Sequence, residues 1–308
     1  MKILIELPTW LGDSVMTSPA IDNIVEHLDK VEITLIGSYV SLEVIKNNPK
    51  VNKIFVLDKK TIHLYKTLKN LDEFDVFFSF RNSYRTKIFK FFVKSKFKYQ
   101  FNKNKYTKGH QVEKYNNFIN DSLNIDTKAR KLNVYVEKKN NGVKHKLLGI
   151  NPGASYGAAK RWYPKEFANV ACALSNQYDI VLFGGPNEIE ISLDIEKYLI
   201  EKNVDNYQNL VAKTTVKELI SRISDLDLFI TGDSGPMHLA AAFQIPTVAI
   251  FGPTNDYETS QWMNHNSIIV KKDLKCQPCM KRTCPLNHHN CMKSIIASDV
   301  LRAVKLLG

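Results

Sequence analysis

No stretch of these 308 residues approaches the ~18 consecutive apolar residues that a membrane-crossing helix needs. The opening run Met1-Lys2-Ile3-Leu4-Ile5-Glu6-Leu7-Pro8 meets a Glu and a Pro before it reaches a signal peptide's apolar length. The expected location is the cytoplasm, with this run as a buried first strand. Neither G-x-G-x-x-G nor G-x-x-x-x-G-K-[ST] occurs, which counts against an NAD-type dehydrogenase and a P-loop NTPase. There is no close internal repeat and no low-complexity tract outside one basic segment. Charged residues at 24% and hydrophobic residues at 44% exclude disorder as the default.

Acid is missing from one place in particular. Residues Arg81 to Lys108 hold ten Lys or Arg and no Asp or Glu. Removing those ten from the 43 basic residues leaves 33 against 31 acidic, so nearly all of the +12 net charge is one local patch. Such a patch suits an anionic partner such as a phosphorylated substrate, an acidic lipid or a nucleic acid; a solvated face is the competing reading.

What is present is a βα rhythm, run twice. Lys2–Leu7, Val31–Ile36, Lys53–Leu57 and Phe74–Phe80 read as strands. Helical stretches lie at Asp13–Leu28, Ser41–Lys46, Ile62–Leu71 and Tyr84–Val93. The polar run Glu137–Lys146 breaks the pattern and reads as a linker. The rhythm restarts with strands Leu147–Asn151, Ile180–Phe183, Leu226–Thr231 and Thr247–Phe251 and helices at Pro164–Ser175 and Ala297–Leu307. The expected class is α/β, with one Rossmann-like domain over 1–140, a linker over 141–146 and a second domain over 147–308, facing each other across a cleft.

Ligands of open parallel sheets sit beyond the carboxyl ends of the strands. Three such loops in the second half carry chemistry. Asn151-Pro152-Gly153-Ala154-Ser155-Tyr156-Gly157-Ala158-Ala159-Lys160-Arg161-Trp162 joins small residues to two cations. Phe183-Gly184-Gly185-Pro186 is the second. Thr231-Gly232-Asp233-Ser234-Gly235-Pro236-Met237-His238 opens a helix whose N-terminal N–H groups and dipole favour phosphate. Each alone is equally an ordinary βα turn; together they point to a phosphate-bearing ligand. In the first half, Trp10-Leu11-Gly12-Asp13 follows the first strand. Asp13 reads either as a helix N-cap or as a carboxylate able to take a proton from a substrate hydroxyl.

These stretches, together with Leu239-Ala240-Ala241 and Phe251-Gly252-Pro253-Thr254, resemble glycosyltransferase family 9 from residue 1 to about 300 in the same order. The stretch Cys276-Gln277-Pro278-Cys279 to Cys284-Pro285, His288 and Cys291-Met292 resembles its heptosyltransferase II subgroup. The resemblance implies a GT-B fold and an inverting transfer, without a cofactor or catalytic metal, of heptose from ADP-heptose. The acceptor it implies is the heptose of the lipopolysaccharide or lipooligosaccharide inner core. On that resemblance Asp13 is the general base and Lys160 neutralises the departing diphosphate. Ser155, Arg161, Asp233, Ser234, Gly235, Pro236, His238 and Thr254 join Lys160 around the donor, while Trp10, Gly12, Arg81 and Arg85 hold the acceptor. A lipid-borne acceptor would also bring peripheral contact with the inner face of the bacterial inner membrane, which the basic segment and its eight aromatics suit.

Cys276, Cys279, Cys284 and Cys291 fall within sixteen residues. Reduced thiols in a braced loop are the leading reading and structural zinc the second, because only one pair is spaced C-x-x-C. The rivals for the whole chain are heptosyltransferase I or III or another sugar-nucleotide transferase of the same fold, a sugar-nucleotide epimerase or dehydrogenase, and a basic zinc-bearing nucleic-acid binder. Against the last, the charge is confined to one segment and no clear recognition helix follows the cysteines, so no nucleic acid is expected as partner.

Overall fold

Ile3, Leu4 and Ile5 are fully buried, as a continuous apolar run is in the middle of a parallel sheet covered on both faces. The structure, a computed structural model, describes residues 1–57, 71–136, 145–154 and 156–308. All but the last residue of the expected helix Ile62–Leu71, most of the expected linker, and Ser155 therefore lie outside the described residues. The chain divides into two compact units, Met1–Val136 and Glu137–Gly308.

In the first unit β1 (Lys2–Glu6), β2 (Glu32–Gly37), β3 (Val51–Val56), β4 (Phe74–Ser79) and β5 (Ser95–Gln100) form a parallel sheet in the order β3-β2-β1-β4-β5. Leu4 stands opposite Thr34 on one side and Phe77 on the other. Leu4, Ile36, Phe74, Phe77, Phe89 and Val93 form the core beneath helix Tyr84–Phe92. In the second unit β6 (Lys146–Asn151), β7 (Tyr178–Leu182), β8 (Tyr207–Asn209), β9 (Leu228–Gly232), β10 (Thr247–Ile250) and β11 (Ser267–Val270) are also parallel, in the order β11-β10-β9-β6-β7-β8. Its core gathers Leu148, Ile150, Trp162, Phe167, Ile230 and Val248.

Both sheets reverse direction once. The chain winds outward from β1 to β3 and then returns to the far side of β1 with β4; β6 and β9 repeat the move. A crevice forms beyond the carboxyl ends at each reversal, because the connections leave on opposite faces there. Every residue expected to touch a ligand in the first unit follows β1 or β4 or sits on the helix after it. Those of the second unit cluster after β6 and β9, with Thr254 after β10.

The expected helix Asp13–Leu28 is two helices, Leu11–Met16 and Ser18–His27. Pro19 has no N–H to offer Val15, and the Ser18 hydroxyl bonds the Val15 carbonyl at 2.7 Å instead. The Thr17 hydroxyl likewise takes the Ser14 carbonyl at 2.7 Å. Strand β5 lies within the basic segment, where charge masks the alternation of Lys96, Phe97, Lys98 and Tyr99; as an edge strand it tolerates those lysines.

Candidate functional site

Trp162 fixes the loop that follows β6. Its indole is buried, packs edge-on against Phe167 at 4.8 Å and donates Nε1–H to the Ile295 carbonyl at 2.9 Å. A buried indole of this kind contributes several kcal/mol, on the order of the ~3–5 lost on truncation to Ala. It anchors the short 3₁₀ turn Ala158–Lys160 immediately before it. Gly157 is required there, since a Cβ would run into the backbone of Arg282.

From that turn Lys160 reaches the loop after β9. Its Nζ lies 2.5 Å from Asp233 Oδ2 and donates to the Asp233 carbonyl at 3.3 Å. Thr254, from the loop after β10, donates its hydroxyl to the same Oδ2 at 2.7 Å. Asp233 thus ties three strand-end loops together, and its carboxylate is almost wholly buried. The Lys160 ammonium also stands over the Tyr156 ring, 4.8 Å from its centroid.

Ser234 is the N-cap of helix Gly235–Ala242, yet its side chain makes no cap bond to that helix. Its hydroxyl instead lies 3.0 Å from Thr231 Oγ1 and accepts from Asn151 Nδ2 at 3.2 Å, across the β6–β9 reversal. Pro236 sits in the first turn, where its missing N–H removes no helix bond. The helix N-terminus therefore faces the crevice with its dipole uncompensated by any acidic residue in its first turn. His238 is buried one turn in.

Arg161 departs from its neighbour. Its Nη2 donates to Glu188 Oε1 at 3.3 Å and to the Asn187 carbonyl at 3.2 Å, on the loop after β7. Glu188 in turn accepts the Gly185 N–H at 2.9 Å. The two adjacent cations thus serve different loops, because consecutive residues around a tight turn point apart. An open recess of about 730 Å³ beside Glu196, Tyr207 and Lys213 runs along the β8 edge and contains none of the expected residues.

The cysteine stretch braces the same loops. Tyr156 Oη donates to the Met280 carbonyl at 2.7 Å, Ala159 N–H to the Arg282 carbonyl at 3.0 Å, and Gln277 Nε2 to the Gly252 carbonyl at 2.6 Å. His289 Nε2 lies 2.9 Å from the Ala159 carbonyl, one residue from Lys160. Cys276, Cys279, Cys284 and Cys291 are free thiols lining one apolar recess of about 20 Å³. The His289 N–H and its neighbours hold the Cys284 thiol below its ordinary value, whereas burial pushes Cys291 up. Among the described residues no group of three His, Cys, Asp or Glu is placed to hold a metal ion.

In the first unit Asp13 is the third residue of helix Leu11–Met16. The N-cap is Trp10, so the capping role open to Asp13 on sequence grounds is not the one it fills. Tyr115 Oη lies 3.5 Å from Asp13 Oδ1, and burial followed by the nearby Asp13 charge holds that phenol protonated well above its ordinary range. Trp10 is 60% exposed beside it and Gly12 is buried.

Glu6 is the residue that sequence reasoning passes over. It ends β1 and is buried. It accepts from Ser79 Oγ at 2.6 Å, Thr86 Oγ1 at 3.2 Å and Arg81 Nη1 at 3.4 Å. It thereby fixes Arg81 and the first turn of helix Tyr84–Phe92, which also carries Arg85. A carboxylate closing an otherwise apolar strand, Lys2-Ile3-Leu4-Ile5-Glu6, was the available signal.

Burial raises the Glu6 carboxyl above its ordinary 4.5, against the opposing pull of Ser79, Arg81, Thr86 and Arg85. Raised in the fold, this group lends stability that is full below 4.5 and is lost as pH rises through the elevated value. Glu6→Gln does not titrate. Urea midpoints measured across the acid-to-neutral range should therefore show wild type losing ground to Glu6→Gln as pH rises; a constant difference would mean that Glu6 titrates normally.

A family model described as glycosyltransferase family 9 (heptosyltransferase) matches residues 64–290. The lipooligosaccharide heptosyltransferase 2 of Campylobacter jejuni serotype O:2 is 44% identical over 318 aligned positions, covering 100% of this chain and 98% of that protein. Among solved structures, the Escherichia coli ADP-heptose lipopolysaccharide heptosyltransferase II superposes with a TM-score of 0.82 at 20% identity, over 100% of this chain and 98% of that one. An E. coli heptosyltransferase solved with ADP superposes at 0.81 and 12% identity over the full length of both chains. The architecture seen here is the one those structures share.

Proposed function

From the premise that the chain belongs to glycosyltransferase family 9, the heptosyltransferases, we infer what its two clusters of side chains do. The reaction is transfer of heptose from ADP-heptose into the inner core of lipopolysaccharide or lipooligosaccharide. The observation that carries the site reading is the Lys160–Asp233–Thr254 network, gathered with Ser234 at the β6–β9 reversal.

In this reading the ADP diphosphate lies at the N-terminus of helix Gly235–Ala242. Ser234, Gly235 and Pro236 form its floor, Lys160 is its cation, and Asp233, His238 and Thr254 set the loops around it. Arg161 contributes from the Glu188 side, and Ser155, outside the described residues, belongs to the same loop. The bond from the anomeric carbon to the diphosphate oxygen breaks as the acceptor oxygen attacks, and charge develops on the leaving phosphate. A fixed ammonium and a helix N-terminus stabilise that charge without reorganising, which is the role a divalent metal plays elsewhere. Asp13 takes the proton of the attacking hydroxyl, with Tyr115 donating to its carboxylate and orienting it. Trp10 offers an exposed face to a sugar ring, Gly12 leaves room for it, and Arg81 and Arg85 meet the acid groups of the inner core.

No helix among the described residues is long and apolar enough to cross a membrane. We place the reaction at the cytoplasmic face of the bacterial inner membrane, where a lipid-borne acceptor is presented. Turnover of ADP-heptose against inner-core precursors bearing zero, one or two heptoses tests the acceptor. Product is expected only from the precursor with one; product from either of the others alone would reassign the step to a heptosyltransferase I or III.

A further inference from the structure

Helix Tyr84–Phe92 shows three of its four aromatic residues to solvent. Thr86 and Phe89 are buried, and Phe89 packs edge-on to Phe77 at 5.7 Å. Tyr84, Ile88 and Phe91 recur at the spacing i, i+4, i+7 on the opposite face, which is one stripe of an α-helix. Tyr84 is 78% exposed, Phe91 77% and Phe92 60%. Phe91 and Phe92 meet edge-to-face at 5.2 Å, so the end of the stripe is a preformed aromatic knuckle.

A helix on a fully solvated surface puts its polar residues outward; one that puts aromatics outward is built to cover them with something. The charge around the stripe says what. Lys87 lies within it, Lys90 and Lys94 flank it, and none of the three makes an ion pair with a described residue. Lys98 of β5 donates to the Phe91 carbonyl at 3.3 Å, which brings a further cation to the same side of the sheet. Of the acids near this edge, Asp75 is already taken by Lys96 at 2.7 Å and by the Lys2 N–H at 3.0 Å, Asp72 pairs with Lys53 at 2.8 Å, and Glu73 makes no ion pair with a described residue. The stripe begins three residues after Arg81 and runs back along the sheet from the carboxyl end of β4.

We propose that Tyr84, Ile88, Phe91 and Phe92, with Lys87 and Lys94, form a docking surface for an anionic phospholipid bilayer. The rings enter the head-group boundary and the lysines meet lipid phosphates. The proposal rests on the transfer reading only for its purpose, holding the acceptor side of the enzyme at the surface that carries the acceptor. All six side chains are exposed or at the helix end, so the fold tolerates their replacement.

Flotation of the full chain with phosphatidylcholine vesicles, with and without phosphatidylglycerol, tests it. Wild type is expected on the anionic vesicles, less so at high salt. Phe91→Ser with Phe92→Ser, and separately Lys87→Glu with Lys94→Glu, should each cut binding roughly tenfold or more. Turnover on a water-soluble, deacylated acceptor should stay at the wild-type value in both. Wild-type vesicle binding by either double variant, or equal binding to neutral vesicles, overturns the proposal. So does concentration-dependent self-association that Phe91→Ser with Phe92→Ser abolishes while vesicle binding is nil, since the stripe would then belong to a second copy. Vesicle binding that behaves as expected in a protein without heptosyl transfer would strike the transfer reading and leave the docking surface standing.

Discussion

Asp13→Ala is expected to lower kcat by about 10²–10⁴, the range a positioned general base contributes, while donor affinity stays within about twofold of wild type. At ~1.4 kcal/mol per decade this is about 3–6 kcal/mol of barrier. The structural cost is far smaller. Asp13 is not the cap of its helix, and its favourable place in the first turn is worth only ~0.3–1 kcal/mol. A folded, donor-binding, inactive protein is therefore the expected outcome. Asp13→Asn, which keeps the shape and loses the basicity, should be as inactive as Asp13→Ala. Calorimetric donor binding beside single-turnover rates separates the two effects, and full turnover in either variant removes Asp13 as the base.

Lys160→Ala is expected to cost about 10²–10³ in kcat/KM through lost stabilisation of the departing diphosphate. It carries a second effect that Asp13 does not. Lys160 and Asp233 are 11% and 7% exposed at their side chains, so removing the cation strands a nearly buried carboxylate. Breaking such a pair from one side destabilises by about 3–5 kcal/mol, most of it the cost of the charge left behind. The double variant Lys160→Ala with Asp233→Asn removes that charge. It should recover most of the lost thermal stability and none of the lost rate. Recovery of rate together with stability would mean that Lys160 acts only as a brace for Asp233 and not on the leaving group.

The strands were legible in the sequence because period and turn chemistry are local. Ile3 to Ile5 and Phe77 to Phe78 announce buried parallel strands, and Gly or Pro marks the exits of β1, β2, β6, β7, β9 and β10. Elements failed to register where another signal sat on top of them. Strand β5 hides under lysines, β8 is three residues long, and helix Gln111–Leu123 is polar enough at Asn116, Asn117 and Asn120 to pass for loop. Two of those amides are structural: Asn116 and Asn120 bond the Thr127 carbonyl at 2.5 and 2.9 Å, and Asn23 joins them from helix Ser18–His27. No local pattern predicts a partner a hundred residues away.

The candidate site divides in the same way. Glycines, the Lys160-Arg161 pair, Asp233-Ser234 and Asp13 could be singled out because each marks its own strand-to-helix turn. Which of them work together could not, because strand order is a property of the sheet and not of any segment. The β6–β9 and β1–β4 reversals bring Asn151 to Ser234, Lys160 to Asp233, and Glu6 to Ser79 and Arg81, all pairs more than seventy residues apart. Arg161 goes instead to Glu188, after β7 on the other side of β6. The sequence by itself determined the repeated βα plan, the basic segment and the residue types able to handle a phosphate. Only the tertiary structure decided that Asp13 is not a cap, that Glu6 holds Arg81, and that Tyr84, Phe91 and Phe92 face outward while Phe89 faces the core. A side chain's chemistry is local, but its partner and its exposure are set by what the rest of the chain packs against it.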